Sequence, residues 1–292
     1  MEKLIGKGRA AIDMVVDRGT LEEGVVGELT VSDKEFGPGA VIGTALLAGE
    51  PCTVIAIDAM KRNRKFSVVY AGIIGLEEAY KMALAVYHSI KADEHKPLAR
   101  KRPLILIVDT PGNGPGKLEE IFGMNKATGA YQLALAEARK KGHPIVALVI
   151  GRAISGAFLC HGLQADHILS LGPQFGTLVH VMPLTSIARI TKLDIEWLQE
   201  LAKDNPVFAA GPDYFFRLGG IEELLDSIDA MRERVIAHVA DVRRRKAEGK
   251  EEELGPWGRG LLGEVRGGRR VRAKVMQVMN DEFAAVADRY LS

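Results

Sequence analysis

Residues 145–160, IVALVIGRAISGAFLC, constrain the fold of this chain more than any other stretch. A run of β-branched and apolar residues ends at Gly151, and Ser155-Gly156-Ala157 then open an apolar helix. A buried strand that breaks at glycine and starts a helix with small residues exposes backbone N–H groups at the helix start. Those donors carry positive partial charge and suit a developing oxyanion. Upstream, LILIVDTPGNGPG (104–116) reads as a second strand ending in a glycine-rich loop. Two such strand ends are expected to face one cleft.

The rest of the chain alternates strands and helices, which reads as an α/β fold. Residues 4–23 place apolar groups at helical spacing (Ile12, Val15, Val16) and stop at Gly24. Segment 28–59 holds two short strands, a Gly-Glu-Pro turn and a third strand, CTVIAIDA. FSVVYAG (66–72) is expected as a strand and Gly75 to Ile90 as an amphipathic helix, followed by a charged loop over 91–103. Then come a strand at 104–108, the glycine loop, a helix over Thr128–Lys141, a strand at 145–150, a helix at 155–163 and the strand HILSL (167–171). A boundary is expected near 228. Residues 1–228 would form the main domain and 229–292 a basic C-terminal helical extension that can form an interface. Residues 243–274 hold 11 Lys/Arg against 5 Glu, which suits either a solvated helix with a loosely ordered arm or a basic surface for a phosphorylated cofactor, an acidic carrier or a partner subunit. Residues 275–291 read as a final amphipathic helix able to dock on another chain.

Bulk properties narrow the function. A chain of 292 residues supports a large core, and a formal net charge of +1 gives no polyelectrolyte character that would argue for nucleic acid. Cys52 and Cys160 both lie in apolar runs and read as buried reduced thiols. Cys160-His161 is a poor nucleophile pair, because adjacent helical residues point about 100° apart. No segment reaches the ~18 consecutive apolar residues of a membrane span, and the N-terminal residues lack a signal-peptide core. The expectation is a soluble, cytoplasmic protein. No cluster has metal-ligand spacing.

YAGIIG (70–75) offers a second site like Ser155-Gly156, with Gly72 and Ile73 as backbone donors; its structural alternative is a helix start with glycines for close packing. Either junction alone is weak evidence. Two in this order, with the DTPG loop between them, are more specific. Gly112 and Gly114 of that loop are candidate substrate-binding residues. So is Arg152, which suits a carboxylate or phosphate but equally a structural salt bridge. Asp109 at a strand end reads as a turn residue that bonds nearby N–H groups. Lys61, Arg62, Arg64 and Lys65 form a basic loop, solvated by default.

These motifs resemble a known group. GKGRAAIDMVVDRGTLEE (6–23) is similar to the opening of acyl-CoA carboxyltransferase domains. VDTPGNGPG (108–116) and GHPIVALVIGRAISGAFLCHGLQADHILSL (142–171) are similar to their α-type half. Within that group the chain resembles the γ subunits of malonate decarboxylases, in GRAISGAF and in LVHVMPLTSIARI (178–190). The resemblance spans roughly residues 5–228 and leaves the C-terminal arm unplaced. It implies a crotonase (Clp/crotonase-like) fold of repeated ββα units with C-terminal helices. It also implies a β-type partner subunit, with the active site between the two chains. The reaction implied is loss of carbon dioxide from a malonyl thioester on an acyl carrier protein or coenzyme A, and the enolate left behind needs stabilising. Backbone donors at Gly72, Ile73, Ser155 and Gly156 would supply that. The basic loop with Lys61 and Arg64 would lie where CoA or phosphopantetheine phosphates approach. No covalently bound cofactor and no metal is implied. A biotin-dependent carboxyltransferase α-type subunit is the alternative of the same fold, with biotin as carboxyl acceptor.

A rival reading is a Clp-like serine hydrolase. Ser155 lies 25 positions before His180, and Asp204 lies 24 beyond that. If His180 reaches Ser155, the pair could act as nucleophile and base, although Asp204 matches the acid position of that family poorly. In a decarboxylase the same pair could bind the malonyl carboxylate or relay a proton. A scaffold chain whose partner carries all the chemistry is the remaining possibility.

Overall fold

The computed structural model describes residues 2–204 and 210–290 and, at Asp204, the backbone only. The chain begins with helix α1 (Gly8–Val15), a short strand β1 (Glu22–Glu23) and the paired strands β2 (Val25–Val26) and β3 (Leu29–Thr30). A hairpin follows, β4 (Ala40–Leu47) with β5 (Glu50–Ile57), and then α2 (Leu76–Ala92). Strand β6 (Leu104–Thr110) leads through α3 (Lys117–Phe122) into α4 (Met124–Lys140). Strand β7 (Ile145–Ile154) runs directly into α5 (Ser155–Cys160). Beyond these lie β8 (His167–Leu171), β9 (Leu178–His180), α6 (Leu184–Thr191), α7 (Ile195–Asp204), α8 (Pro212–Arg217) and β10 (Glu223–Leu225). The last helices are α9 (Met231–Ala247), α10 (Gly255–Val265) and α11 (Arg272–Ala284).

The main sheet has the order β1-β4-β5-β6-β7-β8-β10, with β9 pairing the end of β7. From β5 through β10 its neighbours are parallel, and β4 joins as an antiparallel hairpin. That hairpin turns at Ala48-Gly49, with φ of 52° and 79°, the positive values a two-residue hairpin needs. The Asp17 carboxylate accepts both turn N–H groups, at 3.1 and 2.8 Å.

Parallel strands covered on both faces should read as near-continuous apolar runs, and β6 over 104–108 and β7 over 145–150 do. Leu104, Leu106, Val108, Ala147 and Val149 pack in one core with Met82 and Val86 of α2 and Tyr131 and Leu135 of α4. Ile105, Ile107, Val146, Leu148 and Ile150 pack in the other with Ile12 and Val15 of α1 and Met231 and Val235 of α9. The period of two sorts one sequence run into two cores. Each fully buried Ile, Leu or Val contributes about 1.5–3 kcal/mol.

Two expectations about elements are corrected. FSVVYAG forms bends and turns rather than a strand. Asn63, buried beneath that loop, accepts the N–H groups of Lys65 and Phe66 and donates to Glu77 and Glu78, which holds the chain out of any ladder. The C-terminal arm is not loose but helical, and some of its cations turn inward. Arg259 is buried and donates to the carbonyls of Ala165, at 2.7 Å, and Leu163. Arg266 stacks over Phe216 at 3.6 Å and caps the carbonyls of Phe216, Ile221 and Glu222. Arginine forks satisfy carbonyls left unpaired where elements end, so part of the charge excess turns inward, while Arg244, Lys250, Arg269, Arg270 and Lys274 stay exposed. Helix α11 buries no residue, and Val271, Val275, Met279 and Phe283 stand exposed around it at four-residue spacing.

Burial sets the titration of the core groups. Cys52 and Cys160 are buried and free, with their thiols pushed up to about 12 by desolvation. His161 is not a partner of Cys160: its ring bonds Tyr131 Oη and the Ile107 carbonyl, both at 3.0 Å. Burial lowers His143, His161 and His167 from 6.5 to about 4. Between those values the unfolded chain binds protons that the native imidazoles refuse, so their contribution to stability is full above pH 6.5 and falls as pH drops toward 4, while Glu222, raised by burial to about 7, acts in the opposite sense. Each histidine accounts for on the order of 3 kcal/mol over that window. The urea midpoint at pH 7.5 is expected to exceed that at pH 5, and His161→Gln to narrow the difference without removing it. Among the described residues no helix is long and apolar enough to cross a membrane.

Candidate active site

The carboxyl ends of parallel strands β5, β6 and β7 lie on one edge of the sheet, where open α/β sheets place their ligands. At that edge β7 passes into α5 at Ser155, whose φ is 55°. A non-glycine residue in the left-handed region costs about 1–3 kcal/mol and persists where the surroundings over-determine it. Pairing of β7 with β6 and β9 up to this point supplies that constraint. No side chain caps α5, so the N–H groups of its first turn, including that of Gly156, have no intrahelical partner.

The YAGIIG turn carries the same signature, with Ala71 at φ 52° and Gly72 at 93°. Among the described residues, two of the four non-glycine residues with positive φ therefore fall at the two junctions singled out in the sequence. The turn is bonded directly to the glycine loop: Ile74 N–H donates to the Gly112 carbonyl at 3.0 Å, and Gly114 N–H to the Ile74 carbonyl at 2.8 Å. Ile74 and Asn113 thus form a parallel bridge. The Asn113 side chain also lies against the start of α5, since a Cβ on Gly156 would sit 3.4 Å from its Oδ1. Segments 71–75, 111–114 and 154–157 consequently form one ledge. Gly72, Gly112, Gly114, Ser155 and Gly156 are all brought together there.

Three expected roles change. Ile73 N–H donates to the Tyr70 carbonyl at 3.0 Å, so the turn consumes it and it is not an oxyanion donor. Arg152 takes the structural salt bridge that was its alternative: its Nε and Nη2 bond the Asp109 carboxylate at 2.8 and 3.1 Å. Asp109 is 1% exposed and also accepts the N–H groups of Arg152, at 2.9 Å, and Gly6, at 2.6 Å. The pair supports the Gly72 turn, because a Cβ on Gly72 would meet Arg152 Nη2 at 2.9 Å and the Asp109 carbonyl at 3.0 Å. The Ser155–His180 hydrogen bond, the third role, is not made. His180 stands in register with Ile154, one residue before Ser155. Its Nδ1 is buried without a partner, and burial lowers its pKa. The side chain of Asp204 lies outside the described residues.

Lys61 and Arg64 sit on the loop that leaves β5 at the same edge, and both are exposed. Among the described residues, Arg64 forms an ion pair with Glu35 alone, at 3.8 Å. The foot of that loop packs on the ledge through Val68 against Gly116 and Val69 against Gly75 and Gly114. Among the described residues no group of three His, Cys, Asp or Glu could hold a metal ion. Sequence reasoning missed Asn113, whose Oδ1 is buried with no hydrogen-bond partner. Its only signal was a polar residue set between glycines in PGNGPG.

A parallel-centred sheet with two donor-bearing junctions on its carboxyl edge defines a chain of the carboxyltransferase fold. Transcarboxylase 12S shares that fold, with a TM-score of 0.62 at 20% identity over 82% of this chain and 42% of the other. The family model described as malonate decarboxylase gamma subunit matches residues 70–283, and the chain belongs to that family. The match runs through α9 and α10 into α11, so the C-terminal helices are part of what the family shares. The chain is 64% identical over 291 residues, 100% of both proteins, to the malonyl-S-ACP:biotin-protein carboxyltransferase MADD of Malonomonas rubra. Among solved structures, a Pseudomonas malonate decarboxylase hetero-tetramer in complex with coenzyme A matches 94% of this chain and 99% of its own, with a TM-score of 0.72 and 29% identity. The chain is thus a malonate decarboxylase subunit of carboxyltransferase type.

Proposed function

We propose that the ledge is the oxyanion-stabilising half of a site that cleaves the bond between the methylene carbon and the carboxylate of a malonyl thioester. The N–H groups of Gly72 and Gly156 are the donors. As that bond breaks, its electron pair moves onto the thioester, and the enolate oxygen gains charge that two aligned donors stabilise by a few kcal/mol each. The observation that carries this reading is the pairing of two left-handed junctions, at Ala71-Gly72 and Ser155, bonded through one glycine loop. Arg152 and Asp109 act as positioning residues under Gly72. Lys61 and Arg64, exposed on the flanking loop, suit the phosphates of a CoA or phosphopantetheine carrier. Exposed α11 gives a face for a β-type partner, in keeping with the hetero-tetramer of the Pseudomonas enzyme.

A second reading concerns where the carboxyl group goes, and the 64% identity to a biotin-protein carboxyltransferase favours it. Here the carboxyl group passes from the malonyl group on an acyl carrier protein to a ureido nitrogen of protein-bound biotin. The proton from that nitrogen ends on the enolate carbon, so the exchange yields an acetyl thioester without drawing on solvent. Direct release of carbon dioxide would instead consume one proton from solvent per turnover. The assembled enzyme, assayed with malonyl carrier protein with and without avidin, separates the two. Inhibition by avidin is expected, and full activity in avidin would return the reading to direct release. No turnover of any malonyl thioester by an intact heteromer would remove both.

A further inference from the structure

Asn113 occupies an unusual chemical position on the ledge. Its backbone is locked between Gly112 and Gly114 by the bridge to Ile74, and its side chain lies along Gly156, with Oδ1 and Nδ2 at 3.4 and 3.8 Å from where a Cβ would stand. Its Oδ1 is buried without a hydrogen-bond donor. A buried carbonyl oxygen left unpaired is costly, and each such group in a native protein calls for a partner. A thioester enolate offers only acceptor atoms and cannot be that partner. A donor could come from the carboxyl acceptor, from the pantetheine amide N–H four bonds from the thioester carbon, or from a partner chain, and of these the acceptor is the one that has to approach the methylene carbon itself.

We propose that the Asn113 carboxamide oxygen accepts the N–H of a cyclic urea, the ureido ring of the carboxyl acceptor, and so turns its other nitrogen toward the departing carboxyl group. The assignment rests on the reading in which biotin accepts the carboxyl group. It makes Asn113 the residue that selects the acceptor, whereas Gly72 and Gly156 serve the donor thioester. A ureido ring has two N–H groups, one of which is consumed by carboxylation. The other is the natural donor to a fixed amide oxygen, and it remains in place throughout the transfer.

The test uses the assembled enzyme with malonyl thioester and free biocytin as acceptor, beside a biocytin analogue methylated on the ureido nitrogen that is not carboxylated. The wild type is expected to prefer biocytin by about 10- to 100-fold in kcat/KM, the range for leaving one buried acceptor unpaired. Asn113→Ala is expected to lose that preference and use both within about threefold, since nothing remains to be left unpaired. Exchange of the acetyl thioester α-protons in D2O reports enolate formation alone, and Asn113→Ala should keep it within about twofold, because the oxyanion donors are untouched. Retention of the wild-type preference by Asn113→Ala overturns the assignment, as does an equal fall in α-proton exchange. Failure of the wild type to use biocytin at all removes the biotin reading itself, and the role of Asn113 with it.

Discussion

Gly72→Ala is expected to lower the turnover of malonyl thioester by the assembled enzyme by about 100-fold or more, the effect of losing one oxyanion donor. Two independent features enforce glycine there. Its φ of 93° lies where side chains rarely go, and an added Cβ would meet Arg152 Nη2 at 2.9 Å and the Asp109 carbonyl at 3.0 Å. Neither neighbour is free to move, because the guanidinium is held by a buried carboxylate and the carbonyl belongs to β6. The turn must therefore rotate and carry its N–H away from the reacting oxygen. Gly156→Ala gives the contrast. Its φ is ordinary, and the nearest atom to an added Cβ is the Asn113 Oδ1 at 3.4 Å, so a loss of less than about tenfold is expected. Initial rates on both variants decide the matter, and a wild-type rate in Gly72→Ala would end the assignment of its N–H as a donor.

Asp109→Asn should have the largest effect on stability. One carboxylate, 1% exposed, takes the N–H groups of Gly6 and Arg152 and two guanidinium contacts. An amide has one acceptor oxygen, and its NH2 would face donors, leaving the Arg152 charge poorly compensated. Breaking a buried pair in this way costs about 3–5 kcal/mol, or roughly 10 °C in Tm for a chain of this size. The fall should appear in urea midpoints and in rate together, since the same pair supports Gly72. A midpoint equal to wild type would show that Asp109 is not the tie it looks to be.

How much of this was legible in the chain follows from the range of each interaction. The strands of the two cores could be read from apolar runs, because burial on both faces leaves a local mark in composition. The junction at Ser155 was legible for the same reason, as strand, small residue and helix follow within a few positions, whereas at Gly72 only the glycines and the helix that follows were. The turn at 66–72 was not. Its β-branched residues favour a strand, but the bonds that forbid one come from Asn63 to Glu77 and Glu78, more than ten residues away. Arg152 read equally as a ligand for anions and as a structural residue, and only the fold brings Asp109, 43 positions earlier, within 2.8 Å of it. The C-terminal arginines were legible as charge but not as direction, because the carbonyls they cap are as many as 96 residues distant. Asn113 lacked any signal beyond its glycine neighbours. An unsatisfied atom is a property of three-dimensional surroundings, with no counterpart in sequence.

The clamp on the turn behind α5 also bears on when this protein becomes competent during its synthesis. That turn, residues 162–166, is held by Arg139 from one side and by Arg259 from the other. The first arrives before the turn is made, but the second lies 93 residues or more beyond it. A nascent chain can thus pair β6 with β7 and bury its central strands long before the start of α5 is braced from behind. A ribosome-bound chain stalled short of α10 would have a native-like sheet with that turn held by Arg139 alone.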